Sequence, residues 1–146
     1  MAGQHGRSPM IITHQGGVRF AAQIRQHQLL VDQPVAGGGE DSAPMPLELL
    51  GASLGTCVAL YVQQFCHARD LPYEGMRVEV DPHGAQGRIG RFDVRVVLPE
   101  PLPPQYAQLL ERVARSCPAH NTLVHGAEVA VQIEQPAGVA PEAAAS

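Results

Sequence analysis

The sequence predicts an α+β fold with largely antiparallel sheet. Three observations lead there. Short runs of alternating apolar and polar residues are separated by Gly- and Pro-rich turns, a single long apolar run of helical character sits in the middle, and no regular strand–helix–strand alternation points to a parallel sheet.

The elements follow in order. Met10 to Thr13 reads as a first strand, and Gly16-Gly17 suits the turn after it. Val18, Phe20, Ala22 and Ile24 alternate with Arg19, Ala21, Gln23 and Arg25, as in a half-buried second strand. A third strand covers His27 to Asp32, and QPVAGGGEDSAPMP is a loop. The long helix is predicted from Pro46 to about Arg69. Proline is favoured at a first helical position, Glu48 complements the positive end of the dipole, and Leu71-Pro72 stops the helix. Met76, Val78 and Val80 mark the next strand. Phe92, Val94, Val96 and Leu98 mark its hairpin partner across the loop PHGAQG. A second helix is expected from Pro104 to Cys117, ended by Pro118, with a helical turn over Asn121 to His125. A last strand should then turn Val129, Val131 and Ile133 inward. Residues 1–8 read as a flexible arm, 9–134 as the domain and 135–146 as a flexible tail.

The 146 residues suffice for one core. The net charge of −4 leaves no basic footprint for nucleic acid or a membrane surface. All 10 basic residues are arginine, so no Schiff-base lysine is available. The N-terminus lacks a signal-peptide core. Three cysteines do not make a secreted disulfide framework, so a cytoplasmic location is expected. The run from Met45 to Val62 approaches a membrane span in length, but Pro46, Glu48, Gly51, Ser53, Gly55 and Thr56 interrupt it, and a buried helix is the better reading. That helix is apolar on nearly every side. Its small residues, Gly51 to Ala59, would let another backbone approach, so a symmetric dimer is the simplest way to bury it.

The cysteines raise the question of function, because a thiolate and not a thiol is the attacking species. Cys57 lies mid-helix, beyond the reach of the dipole, and taken alone reads as a small buried hydrophobe. Cys117 is placed by the pattern at a helix C-terminus, which disfavours a thiolate and suits it to a partner role. Cys66 follows Cys57 by nine residues, about 180° around the helix at 100° per residue, and reads as structural. Cys117-x-x-His120 and Cys66-His67 could join Cys57 at zinc, but no second spaced ligand pair supports this. No phosphate loop follows Gly37 to Gly39, and no G-x-S-x-G supports a serine hydrolase.

The stretches GGEDSAPMPLELLGASLGTC, LPYEGMRVEVD, RIGRFDVRVVL and CPAHNTLVHGAEVAV together resemble the OsmC/Ohr family of osmotically inducible and organic hydroperoxide resistance proteins. The likeness runs from about Met10 to Glu134 and is nearest the general OsmC-like branch. It implies a swapped α+β homodimer, with antiparallel sheets wrapped around two central helices and sites at the interface. It implies thiol-based reduction of hydroperoxides without a cofactor, Cys57 being peroxidatic and Cys117 resolving, with an external dithiol as reductant. The family's activating arginine corresponds to Arg19, with Arg25 as the alternative. Its glutamate corresponds to Glu48, one residue after the family's position, which is Leu47 here. Leu50, Leu54, Val58 and Phe20 could line an apolar pocket. A non-catalytic dimer on the same fold, sensing redox state or binding a ligand, is the other reading, and a zinc protein the third.

Overall fold

The computed structural model describes residues 8–138; the arm and most of the tail lie outside them. Three short strands, β1 (Ile11–His14), β2 (Phe20–Ile24) and β3 (His27–Val31), form an antiparallel meander in the order β1-β2-β3. Ile11 pairs with Gln23, and Phe20 with Val31. A loop leads to α1 (Pro46–His67), and the hairpin β4 (Arg77–Ala85) and β5 (Arg88–Val97) makes a second, two-stranded sheet. A 3-10 turn at Pro104–Tyr106 precedes α2 (Ala107–Arg115) and then α3 (Pro118–His125). The mixed α+β class and the antiparallel sheets are therefore as expected.

The core is built on one side of α1. Gly51, Leu54, Gly55, Val58, Val62, Phe65 and Cys66 recur at helical spacing and are its buried residues. They cluster with Leu110 of α2 and with Cys117, and Phe92 and Val96 of β5 pack against them. The glycines set the distance between helix and sheet. A Cβ on Gly55 would stand 2.8 Å from Cγ2 of Val80, and one on Gly51 would stand 3.6 Å from the Phe92 ring. These two small residues thus admit β4 and β5 rather than a second helix. At the far end, Phe65 meets Tyr106 edge-on at 5.9 Å, and the Arg69 guanidinium lies 3.9 Å over the Phe65 ring, tying α1 to the start of α2.

Four expectations need correction. Helix α1 stops at His67, because Asp70 takes a left-handed φ of 54° and the Leu71 N–H turns back to the Cys66 carbonyl. The hairpin loop is shorter than the composition suggests: Pro82 to Ala85 belong to β4, and the turn is confined to Gln86 and Gly87. The second helix ends at Arg115 with Ser116 as its cap, and Pro118 does not merely stop it. Its locked φ starts α3 instead, leaving Cys117 as the N-cap. Finally, residues 127–138 form no strand, and Val129, Val131 and Ile133 are more than 80% exposed, at 81%, 81% and 85%. A strand exists only when another strand satisfies its backbone, and none of this chain's described strands lies beside the segment.

Candidate functional site

Cys57 sits on the flank of the buried stripe of α1 and is half-buried. Cys117 has no exposed surface. The fold brings the two thiols, 60 residues apart in sequence, within hydrogen-bonding reach of one another. Both are free thiols. Cys66 is also fully buried, on the core face, about 13 Å further along the helix axis by the rise per residue.

The N-cap position changes the electrostatics of Cys117. Its sulfur accepts the backbone N–H of His120 at 3.3 Å, as a capping side chain does, and it stands at the positive end of α3 rather than the negative end of α2. Burial nonetheless dominates and pushes the thiol up, with the neighbouring Cys57 adding to the rise and the His120 N–H opposing it. Cys117 is therefore a protonated thiol at neutral pH. Burial likewise pushes the Cys66 thiol up, against a smaller opposing pull from Arg69.

The other two candidates stand elsewhere in the single chain. Arg19 lies just before β2 and makes an exposed ion pair with Glu40, Nη1 to Oε2 at 3.2 Å. Glu48 is the third residue of α1, and its carboxylate accepts the Met45 N–H at 3.0 Å, closing a capping box at the helix start. No hydrogen bond joins either residue to Cys57 among the described residues. Arg25 is not on a strand; it turns β2 into β3 with a left-handed φ of 53°. The structure thus brings Cys57 and Cys117 together and leaves Arg19 and Glu48 engaged elsewhere.

Sequence reasoning missed what fixes Arg19's partner. Asp32, 1% exposed, accepts hydrogen bonds from Ser42 Oγ at 2.7 Å and from the N–H groups of Gln33, Ser42 and Glu40 at 2.8, 3.0 and 3.2 Å. Ser42 chiefly, through its hydroxyl and N–H, lowers the Asp32 pKa to about 2. The carboxylate folds the loop 33–42 around itself, and Gly39 passes so close to Gln33 that a Cβ would meet its carbonyl oxygen. Glu40 is thereby presented to Arg19. An aspartate ending a strand ahead of a Gly-rich loop and Ser42 was the available signal.

A cleft of about 520 Å³ runs between α1, β5 and α2, walled by Leu54, Val58, Val62 and Phe92, with Glu111, Arg115 and His120 among its polar lining; neither thiol lines it, but Val58 follows Cys57 and the His120 N–H binds Cys117. Leu54 and Val58 thus line it as expected. Phe20 instead lines a separate pocket of about 280 Å³ with Arg19 and Ser42. No three metal-ligating side chains lie together among the described residues, so Cys57, Cys117 and His120 do not assemble as a zinc set.

A half-exposed helix thiol held against a buried capping thiol, over an apolar cleft, defines a paired-thiol protein on an α+β scaffold. The chain belongs to the OsmC-like protein family, whose pattern matches residues 38–132. Solved structures share the fold. A Psychrobacter arcticus protein named for osmotic stress induction and detoxification response superposes with a TM-score of 0.73 at 22% identity, over 80% of this chain and 88% of that one. The Mycoplasma pneumoniae OsmC-like protein gives 0.56 at 20%, over 82% and 89%. The Legionella pneumophila organic hydroperoxide resistance protein OsmC gives 0.52 at 20%, over 81% and 90%. No curated protein sequence matches the chain.

Proposed function

We propose that this protein is a cytoplasmic, homodimeric cysteine peroxidase that reduces organic hydroperoxides. The observation that carries the reading is the juxtaposition of Cys57 and Cys117, two free thiols from distant segments within hydrogen-bonding reach. Cys57, the more accessible of the two, attacks the terminal peroxide oxygen as thiolate. The O–O bond breaks, the alcohol leaves, and Cys57 becomes a sulfenic acid. The Cys117 sulfur displaces the hydroxyl as water to give a disulfide, and an external dithiol reduces it by exchange. The apolar walls of the adjoining cleft favour a hydroperoxide with a hydrocarbon body.

The dimer belongs to the same proposal. Leu47, Leu50 and Leu60 on the outer side of α1 are 45%, 39% and 50% exposed, and Ile11, Ile12 and Leu30 of the meander 58%, 59% and 54%. A soluble chain rarely presents so much apolar surface without a partner. Residues 128–133 alternate apolar and polar like a strand awaiting one. In this reading a second copy covers these surfaces, and Arg19, released from an ion pair too exposed to be strong, reaches a thiol across the interface with Glu48 beside it.

One equivalent of cumene hydroperoxide should consume two of the three thiols and yield a Cys57–Cys117 disulfide by peptide mapping. Cys57→Ser should abolish this, and Cys117→Ser should leave a trappable sulfenic acid. Arg19→Ala should slow the reaction ~10–100-fold, as expected for removing a cation that favours the thiolate, and Arg25→Ala much less. Three free thiols remaining after the equivalent would sink the reading. The alternative, a non-catalytic redox-sensing or ligand-binding dimer, is favoured by Arg19 being held at Glu40; it predicts oxidation without turnover when a dithiol is supplied.

A further inference from the structure

Among the described residues, one buried side-chain polar atom lacks a hydrogen-bond partner: Nδ1 of His120. Buried polar atoms are normally satisfied, and an orphan in a folded chain points to a task. His120 is the third residue of α3, the position from which a side chain can reach back toward the N-cap, here Cys117. Its backbone N–H already binds the Cys117 sulfur. Its ring stands where two cavities meet, the cleft between α1 and α2 and a second space toward Leu123 and Val124, which share Leu54, Phe92 and Val94 as walls.

The other charged or titratable groups on these cavities are committed. Glu111 and Arg115 of α2 bind each other at 2.6 Å, Arg91 of β5 holds Asp93 at 2.6 Å, and Arg88 of β5 donates to the Ile89 carbonyl. Neither thiol lines the two cavities; Cys117 reaches them through its contact with the His120 backbone. His120 is therefore the uncommitted base on these cavities, three residues along α3 from a thiol that must lose its proton.

We propose that His120 is a catalytic residue of the resolving step: its imidazole takes the proton from Cys117 and returns it to the hydroxide that leaves Cys57. This rests on the peroxidase reading. The S–S bond forms as the S–OH bond of the sulfenic acid breaks, and the Cys117 proton, relayed through one water to His120 and back, completes the departing water molecule. No oxidant beyond the hydroperoxide already consumed is needed.

The test is rapid mixing of the full-length protein with one equivalent of cumene hydroperoxide between pH 5 and 9, followed by acid quench. Trapped Cys57 sulfenic acid and the Cys57–Cys117 disulfide are then counted by mass spectrometry. In the wild type, disulfide formation should rise with pH across this range. In His120→Asn and His120→Gln the sulfenic acid should accumulate. Its conversion should slow ~10–100-fold relative to Cys57 oxidation in the same variant, and its pH dependence should flatten. Added imidazole should restore conversion in His120→Ala. A conversion rate and pH dependence like the wild type's in both polar variants would overturn the assignment while leaving the peroxidase reading intact. No sulfenic acid in the wild type would overturn both.

Discussion

The meander β1–β3 and the hairpin β4–β5 are both antiparallel and both rich in apolar residues, yet they end in different surroundings. Val80 and Phe92 of the hairpin lie against Gly51 and Gly55, and α1, α2 and Cys117 complete a core around them. The meander buries only Ala21 and Ala22 and leaves Ile11, Ile12, Phe20, Leu29 and Leu30 exposed. Its firmest link to the remainder is polar: the Asp32 N–H reaches the Pro44 carbonyl at 3.1 Å, and the Asp32 carboxylate gathers the loop between. Strand pattern alone does not say what will cover a sheet. The hairpin completes its core within one chain; the meander leaves apolar side chains bare on both faces, Ile12, Phe20 and Leu29 on one and Ile11 and Leu30 on the other.

The largest way to break this comparison is to attack the finished core. Val62 has no exposed surface, so Val62→Asp places an unpaired charge in it, a change expected to cost ~3–5 kcal/mol and to unfold the domain. A variant with a wild-type urea midpoint would show that α1 is not the centre of stability. The next effect should appear only in assembly. Leu30→Glu sits on the exposed face of β3 and should leave the single chain folded. If the face is an interface used twice in a symmetric dimer, burying two leucines at about 1.5–3 kcal/mol each implies that the variant weakens association by at least ~100-fold. Sedimentation at micromolar concentration decides it, and an unchanged dimer would place the interface elsewhere.

A smaller change sharpens the helix–sheet contact. Gly55→Ala drives a methyl group toward Val80 and should lower stability by ~1–3 kcal/mol in urea, because Val80 is pinned between α1 and its own strand. A neutral outcome would show that β4 yields. The smallest effect belongs to the loop and depends on pH. Asp32 has a depressed pKa, so its contribution is complete above the ordinary value of 3.8 and is lost as pH falls toward about 2. Asp32→Asn should flatten the acid limb of the thermal-stability profile in that window and loosen the Arg19–Glu40 pair, with the core region's amide-exchange protection unchanged. An acid limb identical to the wild type's would mean that the clamp does not contribute.

The sequence by itself determined the strands of the meander, the start of α1 at Pro46, the α+β class and the family, since periodicity, a proline at a helix start and a motif such as CPAHNTL are local properties written over a few consecutive residues. Only the tertiary structure decided that Cys117 caps α3 instead of closing α2, that it meets Cys57 across 60 residues of chain, and that Arg19 rests on Glu40 while Glu48 caps its own helix. It also decided that Val129, Val131 and Ile133 do not pair within the chain, although their alternation is that of a strand. The physical reason is the same in each case. A periodic segment states which face is apolar, but a partner for that face, a second thiol for a thiol or a counter-ion for an arginine is supplied by residues distant in sequence. Their positions depend on how the whole chain closes.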